Sequence, residues 1–206
     1  MINNLKEEGF IIMLSSPSGG GKSSICNALL RRDDKLKLSI STTTRKPRAG
    51  EAEGVDYYFK TKEEFDALVQ QNMFIEYTRI YDNYYGTLKA PLEQNLKNGF
   101  DMLFDVDCQG MRSIKTKMIE VVTIFILPPT IEVLRDRLKS RGQDCQGTIE
   151  SRMEQALDEI KHAPEYDYVI INDQFEHSIT KVKSIITAER IKRSRSYKLL
   201  LFLQPK

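Results

Sequence analysis

Short apolar runs alternate along this chain with segments whose apolar residues recur at helical spacing. Four of the runs have the length of strands that are buried in a parallel sheet. They are residues 10–14, 100–107, 121–127 and 168–171. After the first run, Ile25, Ala28 and Leu29 follow the spacing of one helix face, and similar patterns follow the later runs. The alternation predicts an α/β fold with a doubly wound parallel sheet.

Residues 41–94 interrupt this regularity, so we expect an inserted unit there. A capping box of Thr61 and Glu64 predicts a helix whose apolar stripe includes Phe65. The other predicted elements are strands at 55–59 and 73–77, a turn at 83–87, and a helix with Pro91 in its first turn and Gly99 just past its end.

The composition narrows the class of protein. The 206 residues suffice for one domain, and 29% charged against 40% hydrophobic residues is an ordinary soluble balance. A net charge of +2 is too small for a general nucleic-acid binder. The widely spaced Cys26, Cys108 and Cys145 match no metal or disulfide pattern and indicate a reducing compartment. With no signal-peptide pattern and no apolar run of about 20 residues, we expect a cytoplasmic protein without a membrane span.

The first apolar run leads into a glycine-rich segment and then a helix, which is the context of a phosphate-binding loop. Glycines let backbone N–H groups turn toward one concavity, and the helix adds free N–H groups and a positive dipole end. Lys22 is expected to reach the β- and γ-phosphates of a nucleotide, and the Ser23 hydroxyl to hold magnesium. The alternative is a turn that merely joins a strand to a helix. The segment consists of Ser16, Pro17, Ser18, Gly19, Gly20, Gly21, Lys22 and Ser23.

Polar side chains follow two further predicted strands. Asp105 and Asp107 close the second, and Asn172 and Asp173 follow the fourth. Ligands of doubly wound sheets collect at the carboxyl ends of the strands, so we expect these side chains near the glycine-rich loop. A carboxylate beside such a loop positions magnesium or its waters, which makes Asp105 a candidate metal ligand.

The inserted unit contains candidates for binding a second substrate. Arg45 and Arg48 suit an anion site, because guanidinium groups bind phosphate oxygens in a bidentate way. The hydroxyls of Tyr57 and Tyr85 add neutral donors. Glu76 ends an apolar strand, where a carboxylate can accept the paired N–H groups of guanine N1 and N2. The alternatives are solvated surface arginines and an ordinary charge at a strand end.

Arginines also concentrate around the polar segment 142–147. A loop that carries arginines can close over a transferring phosphoryl group, stabilise its charge and exclude water. The alternative is a basic helix face paired with neighbouring carboxylates. The arginines are Arg135, Arg137, Arg141 and Arg152.

Taken together and in this order, the motifs resemble those of guanylate kinases. The matching positions are residues 41–51, 54, 57, 59, 74–76, 83–87, 105–110, 126–129, 137–138, 141–142, 152 and 171–173. The resemblance extends from about residue 10 to about residue 190. It implies a P-loop nucleoside-monophosphate kinase that transfers the γ-phosphoryl group of ATP to GMP and dGMP. The resemblance also implies that magnesium assists this transfer. The reaction would serve purine nucleotide metabolism and GMP recycling.

The resemblance also implies roles for individual residues. ATP would bind the glycine-rich loop, with Asn172 and Asp173 near the adenine, and magnesium would be held by Ser23 and Asp105, partly through water. Residues implied at the guanine ring are Ser41, Glu76 and Thr87. Residues implied at the GMP phosphate are Arg45, Arg48, Tyr57 and Tyr85, with Gly86 beside them and with Asp105 and Asp107 between the nucleotides. Residues implied in catalysis are Lys22, Arg48, Arg137, Arg141 and Arg152.

The resemblance also implies that the chain forms one guanylate-kinase-like domain with three parts. The implied parts are a core (10–40, 95–137 and 159–190), a GMP-binding insertion (41–94) and a small helical lid (138–158). We expect ATP and GMP as partners, without nucleic acid or membrane, while the sequence indicates no oligomeric state.

Two rival hypotheses remain. The first is a related domain that binds a protein and has no catalytic activity, and the second is a kinase for another nucleoside monophosphate. The intact loop, arginines and aspartates argue against the first, and Glu76 with Ser41 against the second.

Overall fold

A computed structural model describes residues 8–80, 82–118, 120–140, 146–192 and 195. Their elements follow the alternation of strand and helix that the sequence predicts. In chain order they are β1 (Ile11–Ser15), α1 (Lys22–Arg32), β2 (Leu36–Leu38), β3 (Thr42–Thr43), β4 (Tyr58–Phe59), α2 (Lys62–Gln70), β5 (Phe74–Ile80), β6 (Asn83–Leu88), α3 (Lys89–Lys97), β7 (Asp101–Asp105), α4 (Cys108–Lys115), β8 (Val121–Leu127), α5 (Ile131–Ser140), α6 (Gln146–Ile160), a 3₁₀ turn (Ala163–Glu165), β9 (Tyr168–Ile171) and α7 (Phe175–Arg190).

The central sheet is parallel, with strand order β2-β7-β1-β8-β9. Its middle strand β1 is buried on both faces. Ile12 and Leu14 pack in a cluster with side chains of α1 and α7, while Ile11 and Met13 pack in a second cluster with side chains of α4. Helices therefore cover both faces, and the predicted doubly wound α/β fold is confirmed.

The edge strand β9 differs from the buried strand that its apolar sequence predicts. Ile170 belongs to the core, but Val169 is 48% exposed and Ile171 is 51% exposed. The reason is position: β9 pairs with β8 alone among the described strands and lies at the margin of the sheet. The order of the strands in the sheet decides how much of each strand is buried, and an apolar run in the sequence does not encode that order.

A second sheet, with order β4-β3-β6-β5, is formed by part of the predicted insertion. The predicted turn at 83–87 is wrong, since these residues form β6, which pairs antiparallel with β5. Aromatic and β-branched residues such as Tyr84, Tyr85 and Thr87 favour this extended pairing. The predicted strand at 55–59 is shorter, as Tyr58–Phe59.

Helix α2 begins at the predicted capping box. Thr61 accepts a hydrogen bond from the Glu64 backbone N–H, and the Glu64 carboxylate accepts one from the Thr61 N–H. Its buried Phe65 stacks on Phe74 of β5 at 4.5 Å between ring centroids. The helix is thereby fixed on the second sheet. Its start was readable from the sequence because both halves of the cap lie within four residues.

Helices α5 and α6 pack against each other through a small separate cluster of apolar side chains, Leu134, Leu138, Met153 and Ala156. The division into core, insertion and lid stays a prediction. Within the described ranges, no helix is long and apolar enough to cross a bilayer.

Candidate active site

The carboxyl edge of the central sheet gathers side chains from several strand ends. The Lys22 ammonium, at the start of α1, lies 2.6 Å from Asp105 Oδ1 at the end of β7. It also donates to the Val106 carbonyl at 3.0 Å. The Ser23 hydroxyl lies 3.4 Å from Asp105 Oδ2. The structure therefore brings the predicted lysine, hydroxyl and first aspartate into one cluster, although they are about 80 residues apart in sequence.

The glycine-rich loop between β1 and α1 surrounds a cavity of about 240 Å³. Gly19 and Gly21 have φ angles of 86° and 96°, which L side chains rarely adopt. The Gly20 N–H donates to the Pro17 carbonyl at 2.8 Å and closes the loop. Helix α1 starts at Lys22 without a side-chain cap, so its first N–H groups are available to a ligand.

Glu159 of α6 forms part of this cavity and was not singled out from the sequence. Its Oε2 accepts a hydrogen bond from the Ser18 backbone N–H at 3.2 Å. Burial raises the pKa of Glu159, while the Ser18 N–H and the charge of Lys22 oppose the rise. No local signal marks this residue, because it is one of many charges on an amphipathic helix. The hydrogen bond to Glu159 shows that the Ser18 backbone N–H, in the glycine-rich loop, can donate to a carboxylate oxygen.

A second cavity, of about 460 Å³, lies against the second sheet and includes Glu76 in its wall. Glu76 is only 9% exposed, and the Thr87 hydroxyl donates to its Oε1 at 2.8 Å. Burial raises the pKa of Glu76; the Thr87 hydroxyl and the positive charge of Lys117 oppose this, while Asp107 adds to it. The Lys117 ammonium also donates to the Ile75 carbonyl at 2.6 Å. A buried carboxylate in a cavity wall is suited to accepting hydrogen bonds from a ligand.

Asp107 lies in the walls of both cavities. It is fixed in place as the cap of α4, where its Oδ1 accepts from the Gly110 N–H at 2.7 Å. The two cavities therefore adjoin at one carboxylate. Ligands bound in them would meet near Asp107.

Of the four residues predicted to form an anion site in the insertion, Arg45, Tyr57 and Tyr85 lie close together. Arg45 forms a salt bridge with Glu51 at 2.7 Å, and its guanidinium lies 5.2 Å from the Tyr57 ring centroid. Tyr57 in turn packs edge-on to Tyr85. The Arg48 side chain is exposed, while its backbone N–H donates to Glu51 at 2.8 Å. The hydrogen bond from Arg45 lowers the pKa of Glu51, a residue to which the sequence analysis assigned no role.

The pairing register of β3 and β6 brings together Ser41 and Thr87, the other two residues assigned to the guanine ring. Thr42 pairs antiparallel with Gly86, which places the preceding Ser41 beside Thr87. A Cβ at Gly86 would lie 2.9 Å from both Phe74 and Tyr77, so a side chain does not fit at this position. Close packing of β6 on β5 is the reason for glycine here.

One of the arginines assigned to the lid, Arg137, lies beside the residues assigned to the adenine end. Arg137 of α5 donates to the Asn172 carbonyl at 3.2 Å, and both line a third cavity of about 410 Å³ together with the exposed Asp173. The Asn172 side chain is buried against the glycine-rich loop. Arg152 lies on α6, and Arg141 lies outside the described residues.

Comparison with known proteins identifies the family. The family model for guanylate kinase matches residues 9–189. A guanylate kinase of Rickettsia felis is 57% identical over 188 residues, which is 91% of this chain and 98% of that protein. One from Haemophilus ducreyi is 51% identical over 90% of this chain and 91% of its own length. The crystal structure of guanylate kinase from Anaplasma phagocytophilum superimposes with a TM-score of 0.73 at 38% identity, covering 93% of this chain and 91% of that one.

These similarities span both cavities and every element that surrounds them. A glycine-rich loop with its lysine and an acidic strand end are parts of a site for phosphoryl transfer from a nucleotide. A buried glutamate in the neighbouring cavity can accept hydrogen bonds from an acceptor. The chain therefore belongs to the guanylate kinase family.

Proposed function

We propose that this protein transfers the γ-phosphoryl group of ATP to GMP, and also to dGMP, giving ADP and GDP or dGDP. The observation that carries the proposal is the pair of adjoining cavities that share Asp107. One offers loop amides and a lysine to phosphates, and the other offers a buried carboxylate to a base. Membership of the guanylate kinase family supports the same reaction.

ATP is proposed to bind with its phosphates in the loop cavity. The backbone of the loop and the first turn of α1 supply N–H donors, and Lys22 supplies positive charge to the β- and γ-phosphates. Lys22 lies against Asp105, so its position is fixed before the phosphates arrive. The residues assigned to ATP are Ser16, Pro17, Ser18, Gly19, Gly20, Gly21, Lys22, Ser23, Asn172 and Asp173.

Magnesium is proposed to bind at Ser23 and Asp105, partly through water. Their oxygens lie 3.4 Å apart, and both are the hard donors that this ion prefers. The remaining ligands are proposed to be oxygens of the phosphates and of water. When bound, the ion would neutralise phosphate charge.

GMP is proposed to bind in the insertion. The Glu76 carboxylate accepts the guanine N1 and N2 N–H groups, while Thr87 fixes its Oε1 and Ser41 lies beside Thr87. Adenine has no N–H at N1, so the same carboxylate disfavours AMP. The residues assigned to the GMP phosphate and its surroundings are Arg45, Arg48, Tyr57, Tyr85, Gly86, Asp105 and Asp107.

The transfer needs no dedicated base, because the attacking phosphate oxygen of GMP is already ionised. Catalysis comes from alignment of the two phosphates and from stabilisation of the charge that develops during transfer. Lys22 and Arg48 are proposed to supply that charge, together with arginines from the lid. These are Arg137, Arg141 and Arg152. Closure of the lid would exclude water and so prevent hydrolysis of ATP.

The cytoplasm is proposed as the compartment, with a role in purine nucleotide metabolism. Cys26 and Cys108 are free and buried, which suits a reducing environment.

A panel of acceptors tests the proposal directly. Release of ADP from ATP is measured with GMP, dGMP, AMP, UMP or dTMP as acceptor. We expect turnover with GMP and dGMP and a kcat/KM at least about 10³-fold lower with the others, because a buried hydrogen-bonding group rejects ligands that leave it unpaired. Equal turnover with AMP would contradict the role of Glu76. Absence of turnover with every acceptor would contradict the reaction.

A further inference from the structure

The buried amide of Asn172 connects the last strand of the sheet to the glycine-rich loop. Asn172 directly follows β9, and its backbone N–H continues the ladder by donating to the Leu127 carbonyl at 2.7 Å. Asn172 as a whole is 5% exposed, and its side-chain Nδ2 donates to the Gly20 carbonyl at 3.0 Å. The Arg137 guanidinium donates to the Asn172 backbone carbonyl at 3.2 Å. The amide therefore has a fixed position and a defined partner in the loop.

The hydrogen bond to the Gly20 carbonyl determines where the next N–H points. In a trans peptide, the carbonyl of one residue and the N–H of the next point in opposite directions. Since the Gly20 carbonyl is turned toward Asn172, the Gly21 N–H is turned away from it. Gly21 lies in the wall of the loop cavity beside Lys22 and Ser23. That N–H is thus turned to the side from which a phosphate would approach.

The contact between Asn172 and Gly21 explains the glycine at this position. A Cβ on Gly21 would lie 2.5 Å from Asn172 Nδ2, closer than real side chains approach. Gly21 also has a φ angle of 96°, in the region that favours glycine. The amide and the glycine therefore fit one another, which fixes the last peptide of the loop before α1 begins.

We propose that Asn172 is a positioning residue for the donor nucleotide: by holding the Gly20 carbonyl, it directs the Gly21 N–H toward the β-phosphate. This inference rests on the proposed binding of ATP phosphates in the loop cavity. It differs from the adenine-end role that the family resemblance implies for Asn172. In this role the side chain acts on ATP through the loop backbone, by way of its hydrogen bond to the Gly20 carbonyl.

The two roles predict different ligand dependence. A positioning role affects ligands that have a β-phosphate, so ATP and ADP lose affinity while AMP does not. A direct adenine contact affects all three equally. One well-placed hydrogen bond is worth about 1.4 kcal/mol, so we expect about a tenfold loss for ATP and ADP.

The experiment compares Asn172→Ala and the isosteric Asn172→Asp with the unmodified protein. KM for ATP and the competitive inhibition constants of ADP and AMP against ATP are measured at saturating GMP, so that AMP is confined to the donor site. In both variants we expect increases of at least about tenfold for ATP and ADP, an unchanged constant for AMP and an unchanged KM for GMP. The increase is larger for Asp, because its carboxylate repels the Gly20 carbonyl.

Thr123→Val serves as the matched control. Thr123 is also buried in the sheet, and its hydroxyl donates to Asp167 at 2.8 Å, far from the loop along the same pair of strands. Circular dichroism and thermal unfolding of all variants compare their folding. We expect Thr123→Val to lower the unfolding temperature without changing the ratio of ADP to AMP inhibition.

Three results would count against the inference in distinguishable ways. Equal weakening of ATP, ADP and AMP assigns Asn172 to the adenine. Unchanged constants for ATP, ADP and AMP in folded Asn172→Asp remove Asn172 from nucleotide binding altogether. If the unmodified protein binds ATP and AMP equally well, the proposed phosphate site fails, and the inference fails with it.

Discussion

Replacing Glu76 by Gln preserves the size of this side chain but removes its charge and one acceptor oxygen. Glu76 Oε1 already accepts from the Thr87 hydroxyl, so the rest of the carboxylate is left for the guanine N–H groups. In the variant, either a guanine N–H faces the amide NH₂ group or Thr87 loses its acceptor. We therefore expect activity with GMP to fall while the fold is retained.

The magnitude follows from the hydrogen bonds that change. A hydrogen bond to a charged group contributes about 1.5–3 kcal/mol, and a donor left buried and unpaired costs a further 1–3 kcal/mol, roughly. A total of about 3 kcal/mol corresponds to about a 150-fold decrease in kcat/KM for GMP. The small activity with AMP, which offers no N–H at N1, should not decrease.

Dependence on pH provides a second measurement of the same interaction. Because the pKa of Glu76 is raised, its carboxylate becomes protonated within a higher pH range than usual, and guanine then loses an acceptor. We expect KM for GMP to rise as pH falls through that pKa, and to stay flat in Glu76→Gln. A kcat/KM for GMP within threefold of the unmodified value would refute the assignment of Glu76 to the guanine ring.

At pH 7, Glu76→Gln should raise the free energy of unfolding although it lowers the activity with GMP. A raised pKa in the folded state means that the contribution of Glu76 to stability is present at low pH and is lost as pH rises through that pKa. At pH 7 the buried charge is a cost that Gln does not carry. We expect the free energy of unfolding of Glu76→Gln, measured with urea, to be higher at pH 7 and to approach the unmodified value in acid. Lower stability at pH 7 would contradict the burial argument.

Three further predictions concern other parts of the structure. Lys22→Ala should lower turnover by about 10²-fold or more, because it removes a cation from the phosphates, with an unchanged circular dichroism spectrum; near-normal turnover would contradict its role. Lys117→Met removes a positive charge that lowers the pKa of Glu76, so the rise of KM for GMP should begin at higher pH, whereas Lys117→Arg should behave as the unmodified protein. Thr61→Ala removes one half of the capping box and should lower the free energy of unfolding by about 1 kcal/mol without changing KM for ATP; a urea midpoint that does not move would contradict the cap.

The sequence alone determined the features whose signals are local. The apolar runs gave the four long strands of the parallel sheet, and the capping box gave the start of α2. The order of glycines, lysine and serine between a strand and a helix predicted the loop that the structure shows. Each of these depends on residues within about eight positions of one another, where propensity and hydrogen bonding act directly.

Tertiary structure decided the features that depend on distant residues. Pairing with β5 made residues 83–88 a strand, and the margin of the sheet left half of β9 exposed. The same long-range packing placed Glu159 against the loop, Asp107 between two cavities and the Asn172 amide beneath Gly20. Such contacts join residues that are up to 152 positions apart. Local preferences cannot encode them, because they form only when the strands have taken their order in the sheet.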